Sequence, residues 1–298
     1  MKSLPFDGGD FALGTWRFLD GPNPLGATEL ISLFNASLEA GIDVLDTAEI
    51  YGSYGVEAAI GAALAEEPQL KEQLLIVTKA GIDIPSEEKG HARLPHYNAT
   101  STNLVTCAEK SLKLLGVETL DLFLVHRPDW LTHPEDTAAG LKQLLDQGKA
   151  KAIGVSNYTI HQFETLNQLL GGKLATNQVE FSPLHMDPLY DGVFDQCLQA
   201  PIRPMAWSPL AQGRVFDPND EAATRLRLCL DELKDKYDGA GYDTLIYAWI
   251  LSAPTRPTVI LGTCKESRIP DAAKASEIQL ERQDWYAIWQ AAKGHGVP

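Results

Sequence analysis

Short, β-rich apolar segments recur along the chain, and each is followed by a stretch whose apolar residues repeat at helical spacing. That alternation is the pattern of parallel βα units. Eight segments are predicted as strands: residues 11–15, 44–46, 74–79, 120–126, 152–156, 177–181, 203–207 and 258–262. Helical stripes lie between them. In residues 135–147, Ala138, Leu141, Leu144 and Leu145 fall on one face and Gly148 follows as a stop, while Val56, Ala59, Ile60, Ala63 and Leu64 make a similar stripe. Eight units within roughly 260 residues favour a closed, single (β/α)8 TIM barrel of the α/β class over an open doubly wound sheet of five or six strands. The chain carries no G-x-G-x-x-G, no Walker A motif, no linker composition and no low-complexity tract, so one domain over residues 1–298 is expected. Residues 82–99, with two prolines, two histidines and a charge cluster, read as a long loop after the third strand, and loops of that length are commonly functional or mobile.

With 44% hydrophobic and 22% charged residues, the composition is that of an ordinary globular protein and excludes disorder, collagen-like repeats and a disulfide scaffold. No apolar run approaches the ~18 residues needed to cross a bilayer. The start, Met1-Lys2-Ser3-Leu4-Pro5-Phe6-Asp7, lacks the apolar stretch of a signal peptide, so a soluble, cytoplasmic protein is expected. A net charge of −15 argues against a nucleic-acid partner, and any anionic ligand must be held by a local cluster. Cys107, Cys197, Cys229 and Cys264 form no C-x-x-C pair, which suits reduced thiols and speaks against a cysteine-ligated zinc.

In a barrel, chemistry sits at the C-terminal ends of the strands. Strand two ends in Asp46, with Tyr51 in the loop after it; strand three ends in Lys79 and strand four in His126. Each alone has an ordinary reading: a helix cap, a packed ring with a wet hydroxyl, a surface lysine, a core histidine. Their convergence on one rim is hard to explain by packing, because buried charges are costly unless paired. A tyrosine, with a free pKa of about 10, needs help to act on protons at neutral pH, and the Lys79 ammonium favours its phenolate. Asp46 would neutralise and orient that ammonium, and His126 could donate to a carbonyl oxygen. The set suits proton delivery to a carbonyl under reduction.

The run Asp43-Val44-Leu45-Asp46-Thr47-Ala48-Glu49-Ile50-Tyr51-Gly52, followed by Glu57 and Gly61, resembles the signature of the aldo-keto reductases. Ile76-Val77-Thr78-Lys79, the stretch from Asp121 to His126, and the stretch from Gly148 to Asn157 are similar to further blocks of that family in the same order. The resemblance spans nearly the whole chain, and His126-Arg127-Pro128-Asp129 is similar to a bacterial branch of oxidoreductases within it. It implies that Asp46, Tyr51, Lys79 and His126 are a catalytic tetrad with Tyr51 as general acid. It also implies NADPH (NADP+) laid across the barrel mouth, with its carboxamide on Ser156, Asn157 and Gln178; a strand-to-helix turn with a helix cap remains the plainer reading of Ser156-Asn157.

By the same resemblance Trp207 stacks on the nicotinamide where many relatives carry tyrosine, which keeps the face and loses the hydroxyl. Ser208, Leu210, Gly213 and Arg214 match the stretch that wraps the pyrophosphate. Gly262 and Thr263 open the turn after strand eight into a helix whose free amides favour a phosphate. Lys265 and Arg268 there match the grip on the adenosine 2′-phosphate, hence NADPH over NADH. Asp271 and Ala272 stand where relatives often place an adenine-contacting amide. Trp16, Ile82, Arg127 and Trp130 could line the substrate pocket; two tryptophans suit an apolar or aromatic carbonyl compound, and the short stretch to Pro298 suits an open pocket.

Two rival functions stay in view: an aldolase with Lys79 as a Schiff-base lysine, and an NADP(H)-binding regulatory subunit. A metal-dependent hydrolase is disfavoured because Phe11-Ala12-Leu13-Gly14-Thr15 has no His-x-His, and no metal is expected. The expected partner is a small carbonyl compound, with the oligomeric state left open.

Overall fold

The computed structural model describes residues 6–86, 89–90 and 92–298. The reading of the first five residues as free of an apolar leader therefore lies outside the described residues, as do Glu87, Glu88 and His91 of the predicted long loop. Eight strands form the barrel: β1 Phe11–Gly14, β2 Val44–Asp46, β3 Leu75–Ala80, β4 Leu120–Val125, β5 Ala150–Ser156, β6 Leu174–Glu180, β7 Met205–Trp207 and β8 Thr258–Leu261. Each pairs in parallel with the next and β8 closes on β1, giving the (β/α)8 barrel that the βα alternation predicts.

The differences in strand ends have local causes. β7 begins at Met205 rather than at residue 203 because Pro204 has no N–H to give a ladder. His126 falls just past β4, its amide donating to Ala80 O at 2.8 Å, so β3 carries its hydrogen bonding one residue beyond Lys79. β6 starts three residues earlier than expected, directly after the turn at Gly171 and Gly172.

The interior is apolar, built from Ala12, Val44, Val77, Leu122, Leu124, Ala152, Ala175, Met205 and Ile260. A larger apolar cluster fills the space between sheet and helices, including Leu30, Phe34, Ile60, Leu104, Leu141, Phe163, Leu226 and Trp249. The helix Pro134–Asp146 lies one residue from its expected span, with proline in its first turn and His133 Nδ1 accepting from Glu135 N at 3.3 Å. Gly61 is required by close approach. A Cβ there would lie 1.9 Å from Leu114 O, so only glycine lets the helix Val56–Glu66 sit against the end of Ser101–Leu115.

Two expectations need correction. The segment 82–99 is not a plain loop: Ile82–Asp83 pairs antiparallel with His96–Tyr97, because the chain doubles back on itself and satisfies its own backbone. After β8 there is no single helix but a 3-10 turn, Glu266–Arg268, running into the five-residue helix Ile269–Ala273. The Lys265 amide there is not free, since it donates to Thr263 Oγ1 at 3.0 Å. Among the described residues no helix is long and apolar enough to cross a membrane.

Candidate active site

The closed barrel brings the predicted tetrad together. β2 and β3 are neighbours with Asp46 paired to Val77, and β3 and β4 are neighbours with Lys79 paired to Leu124. Lys79 and Val77 therefore share the inward face of β3, and the Lys79 side chain rises inside the rim, fully buried. Its Nζ donates to Asp46 Oδ2 at 2.8 Å, to Thr47 O at 2.7 Å and to Tyr51 Oη at 3.3 Å. Three acceptors meet three N–H bonds, which is what a buried ammonium needs. Asp46 Oδ1 accepts from Gln178 Nε2 at 2.8 Å, across the barrel from β6. The imidazole of His126 lies edge-on to the Tyr51 ring at 6.0 Å between centroids, and Trp16 meets the same ring edge-on at 4.9 Å.

The electrostatics differ from the expectation in one respect. Burial pushes the Tyr51 phenol above its ordinary value; the Lys79 charge pulls it down and the Asp46 charge pushes it up, and the net direction is upward. Lys79 thus moderates the desolvation of Tyr51 without overcoming it, so Tyr51 holds its proton at neutral pH. Desolvation works against the Lys79 ammonium, but Asp46 and Tyr51 outweigh it and raise its pKa, so the lysine stays charged. His126 is held well below its usual range by burial, then by the charges of Lys79 and Arg127. Its ring is neutral at pH 7. His126 Nδ1 is buried without a hydrogen-bond partner, and we assign the proton to Nε2, because an orphaned acceptor costs less than an orphaned N–H.

The residues expected to hold a carboxamide are also adjacent. Ser156 Oγ donates to Gln178 O at 2.9 Å and accepts from Asn157 Nδ2 at 2.7 Å, and Trp207 Nε1 donates to Asn157 Oδ1 at 3.1 Å. Asn157 sits at a φ of 59°, which turns the chain sharply off β5. These bonds occupy one N–H of Asn157 and the Nε2 of Gln178, leaving a second amide N–H and the Gln178 Oε1 to pair with a carboxamide.

The following loop is turned by left-handed conformations at Ser208, Gln212 and Gly213 and carries Leu210; Arg17 Nη2 reaches Gln212 O at 3.4 Å. Arg214 is committed elsewhere, with Nε and Nη2 on Asp220 Oδ2 at 3.0 and 2.8 Å. Gly262, Lys265 and Arg268 are exposed and Thr263 is partly so. Around the rim Trp16 is 56% exposed, Ile82 is half-buried in the ribbon, and Trp130, 81% exposed, meets Tyr97 edge-on at 5.7 Å.

A buried ionic cluster beside the tetrad was not foreseen. Lys89 Nζ lies 2.7 Å from Asp83 Oδ1 and 3.1 Å from Glu49 Oε1, and 3.6 Å from Cys107 Sγ. Burial opposes the Lys89 charge, but the hydrogen bond to Asp83 and the neighbouring acidic groups raise its pKa. Glu49 is two residues before Tyr51 and its amide donates to Lys79 O at 2.9 Å, so the cluster ties the ribbon segment to the loop that carries Tyr51. Glu57 is likewise buried, accepting from Thr78 Oγ1 at 2.6 Å and Ser111 Oγ at 3.0 Å. The charge cluster within residues 82–99 and the acidic residues of the Tyr51 motif, Glu49 and Glu57, were the sequence signals for them.

The chain matches the Aldo/keto reductase family across residues 10–293. It belongs to that family. It is similar to the oxidoreductase YdhF of Escherichia coli, with 39% identity over 97% of this chain and 95% of the relative. It is also similar to a 6-dehydroglucose reductase of Novosphingobium aromaticivorans, with 38% identity over 96% of this chain and 92% of the relative. Among solved structures it superimposes on the thermostable aldo-keto reductase Tm1743, crystallised with the inhibitor epalrestat, with a TM-score of 0.78, 25% identity and coverage of 97% of this chain and 98% of that one. This aldo-keto reductase is an oxidoreductase, and Asp46, Tyr51, Lys79 and His126 meet at one end of its barrel.

Proposed function

We propose that this aldo-keto reductase reduces aldehydes and ketones to alcohols with NADPH, with Tyr51 as the proton donor. The observation that carries the proposal is the Lys79 ammonium, 3.3 Å from Tyr51 Oη and 2.8 Å from Asp46. In a carbonyl reduction, negative charge develops on the oxygen, and a phenol beside a fixed ammonium can pass its proton there while the ammonium stabilises the phenolate left behind. The neutral His126, with its proton on Nε2, donates a second hydrogen bond to the same oxygen. When bound, the nicotinamide supplies the hydride. Asn157 and Gln178 would hold its carboxamide and Trp207 one face of its ring, with Lys265 and Arg268 on the 2′-phosphate.

Trp16, Ile82, Arg127 and Trp130 would surround the substrate, a small carbonyl compound. Four free cysteines suit a reducing, cytoplasmic location. The geometry speaks against the aldolase reading: a Schiff-base lysine must reach a neutral amine, whereas Lys79 is buried, saturated by three acceptors and raised in pKa. NADPH oxidation against a panel of aldehydes, ketones and dicarbonyls tests the proposal. Wild type should turn over several of them, and Tyr51→Phe should lose about 10²- to 10⁴-fold in kcat/KM while NADPH binding, read by fluorescence quenching, stays close to wild type. Near-normal turnover by the pure Tyr51→Phe protein would remove Tyr51 as the acid.

A further inference from the structure

We infer that Tyr54 is a positioning residue for Tyr51: it fastens the loop that carries Tyr51 to the ribbon segment at Ile84, and that fastening holds the Tyr51 hydroxyl against the Lys79 ammonium. The inference rests on the carbonyl reduction proposed above and adds to it what keeps the proton donor in place.

After Tyr51 the backbone turns through three left-handed residues in succession, Gly52, Ser53 and Tyr54, at φ of 54°, 53° and 72°. A bulky aromatic residue in that conformation is an outlier, kept only where its surroundings over-determine it. What holds Tyr54 is its side chain. It is buried, and its Oη accepts a hydrogen bond from the Ile84 amide at 2.9 Å, directly after the strand Ile82–Asp83. Two ammonium groups lie over its ring, Lys89 Nζ at 5.9 Å and Lys110 Nζ at 5.4 Å from the centroid, the first from the ribbon segment and the second from the helix Ser101–Leu115. Glycine or asparagine would make the same turn with less strain but is too short to reach Ile84. The tyrosine therefore serves the anchor and not the turn.

Tyr51 thus lies between two tethers to one segment. Before it, Glu49 meets Lys89 Nζ at 3.1 Å; after it, Tyr54 meets Ile84. Lys89 in turn is held by Asp83 at 2.7 Å, so both tethers converge on the strand Ile82–Asp83. The contact they protect has little slack. Lys79 Nζ lies 3.3 Å from Tyr51 Oη, just beyond the usual range of a hydrogen bond, whereas its bonds to Asp46 and Thr47 are 2.8 and 2.7 Å. A further displacement of about 0.5 Å would end it. The phenol would then lose the ammonium proposed to stabilise its phenolate, and a misplacement on the order of 1 Å can cost about 10²-fold in rate. Tyr54 acts through this distance and takes no part in the proton transfer itself.

The test uses Tyr54→Phe and Tyr54→Asn, each made in wild type and in Tyr51→Phe, with NADPH and the best-reduced compound of the panel above. Tyr54→Phe keeps the ring and loses the hydroxyl, while Tyr54→Asn tolerates the left-handed backbone and loses the whole anchor. In wild type, kcat/KM should fall about 3- to 10-fold in Tyr54→Phe and about 10- to 100-fold in Tyr54→Asn, with NADPH binding unchanged. In Tyr51→Phe the same substitutions should change the residual rate by less than about twofold, because a residue acting through the Tyr51 hydroxyl has nothing to act on once it is gone. Hydrogen exchange read by mass spectrometry should quicken over residues 49–56 and stay unchanged in the strands. Equal losses in both backgrounds would overturn the inference and leave Tyr54 a part of the scaffold, as would turnover or exchange that neither substitution alters. If Tyr54→Asn does not fold, Tyr54→Phe decides. If wild type reduces nothing in the panel, or Tyr51→Phe keeps its rate, the reading above falls and this inference with it, whereas equal losses in an active enzyme remove Tyr54 alone.

Discussion

The two oxygens of Asp46 are each taken by a donor at 2.8 Å: Oδ2 by Lys79 Nζ from the neighbouring strand, Oδ1 by Gln178 Nε2 from the far side of the barrel. Both neighbours are pure donors at the atoms involved, so Asp46→Asn would turn an amide N–H toward one of them and leave the Lys79 ammonium without its counter-charge. Breaking a buried pair on one side costs about 3–5 kcal/mol. Urea unfolding should register a loss of that order, and turnover should fall with it. Wild-type stability and turnover in Asp46→Asn would show that the carboxylate charge is not needed.

Lys79→Met should alter the alkaline limb of the pH–rate profile for alcohol oxidation, the direction in which Tyr51 must accept a proton. Burial already places the Tyr51 pKa above its ordinary value of 10.0, and Lys79 works to lower it. Removing the ammonium sends Tyr51 higher still, so the rise in rate shifts to more alkaline pH and the rate near pH 8 falls. An unmoved limb would mean that Lys79 does not govern Tyr51.

His126 should make the fold acid-sensitive below its unfolded pKa. Its folded pKa lies well below the ordinary histidine value of 6.5, so above 6.5 neither state holds the extra proton and its contribution to stability is fully present. As the pH falls below that value the unfolded chain binds the proton first, and the stability is lost until the folded pKa is passed, at no more than about 1.4 kcal/mol per pH unit. His126→Gln should therefore show a shallower loss than wild type in urea titrations between pH 7.5 and about pH 5. Equal slopes would contradict the burial of a neutral ring.

Lys265→Ala combined with Arg268→Ala should weaken NADPH far more than NADH, because only the former carries the phosphate dianion. Charge-assisted bonds of this kind contribute about 1.5–3 kcal/mol each. Salt provides a second reading. It screens repulsion between an acidic protein and an anionic cofactor, and it weakens the exposed attraction at Lys265 and Arg268, with a Debye length of about 8 Å at physiological ionic strength. If direct contacts dominate, wild-type affinity falls with salt and the double variant shows a smaller fall or a rise, measured by quenching of protein fluorescence. Equal losses for both cofactors, with the same salt dependence, would take the pair out of the site.

Much of this architecture was legible before any coordinates. Alternating apolar runs locate all eight strands, and the polar residues closing the second, third and fourth are ones the structure brings together at one rim, because a strand end is where a barrel exposes inward side chains. What escaped was of two kinds. The first is pairing between residues far apart in sequence: Asp46 with Gln178, and Glu49 and Asp83 with Lys89, are contacts that only barrel closure or chain reversal creates. The second is competition among partners. Arg214 reads as free to meet a pyrophosphate, yet Asp220, six residues on, already holds it. The helix Tyr242–Leu251 is apolar nearly all round, since Trp249 is fully buried and stacks between Phe181 and Trp285, so it lacks the one-sided stripe that marks a surface helix.

Asp46, Lys79 and His126 stand at β2, β3 and β4, whereas Ser156, Gln178 and Trp207 belong to β5, β6 and β7, and the Asp46–Gln178 bond crosses between the two sets. The rim is thus two workshops sharing one wall. Loops on the first side, including the ribbon anchored through Lys89, can be lengthened or exchanged to suit a new carbonyl compound without touching the side chains proposed to grip the cofactor. The reverse holds for a change of cofactor. A substitution at the shared bond would be felt on both sides at once, and a laboratory lineage selected for new substrates should accumulate changes freely around Ile82 and Trp130 while leaving Asp46 and Gln178 untouched.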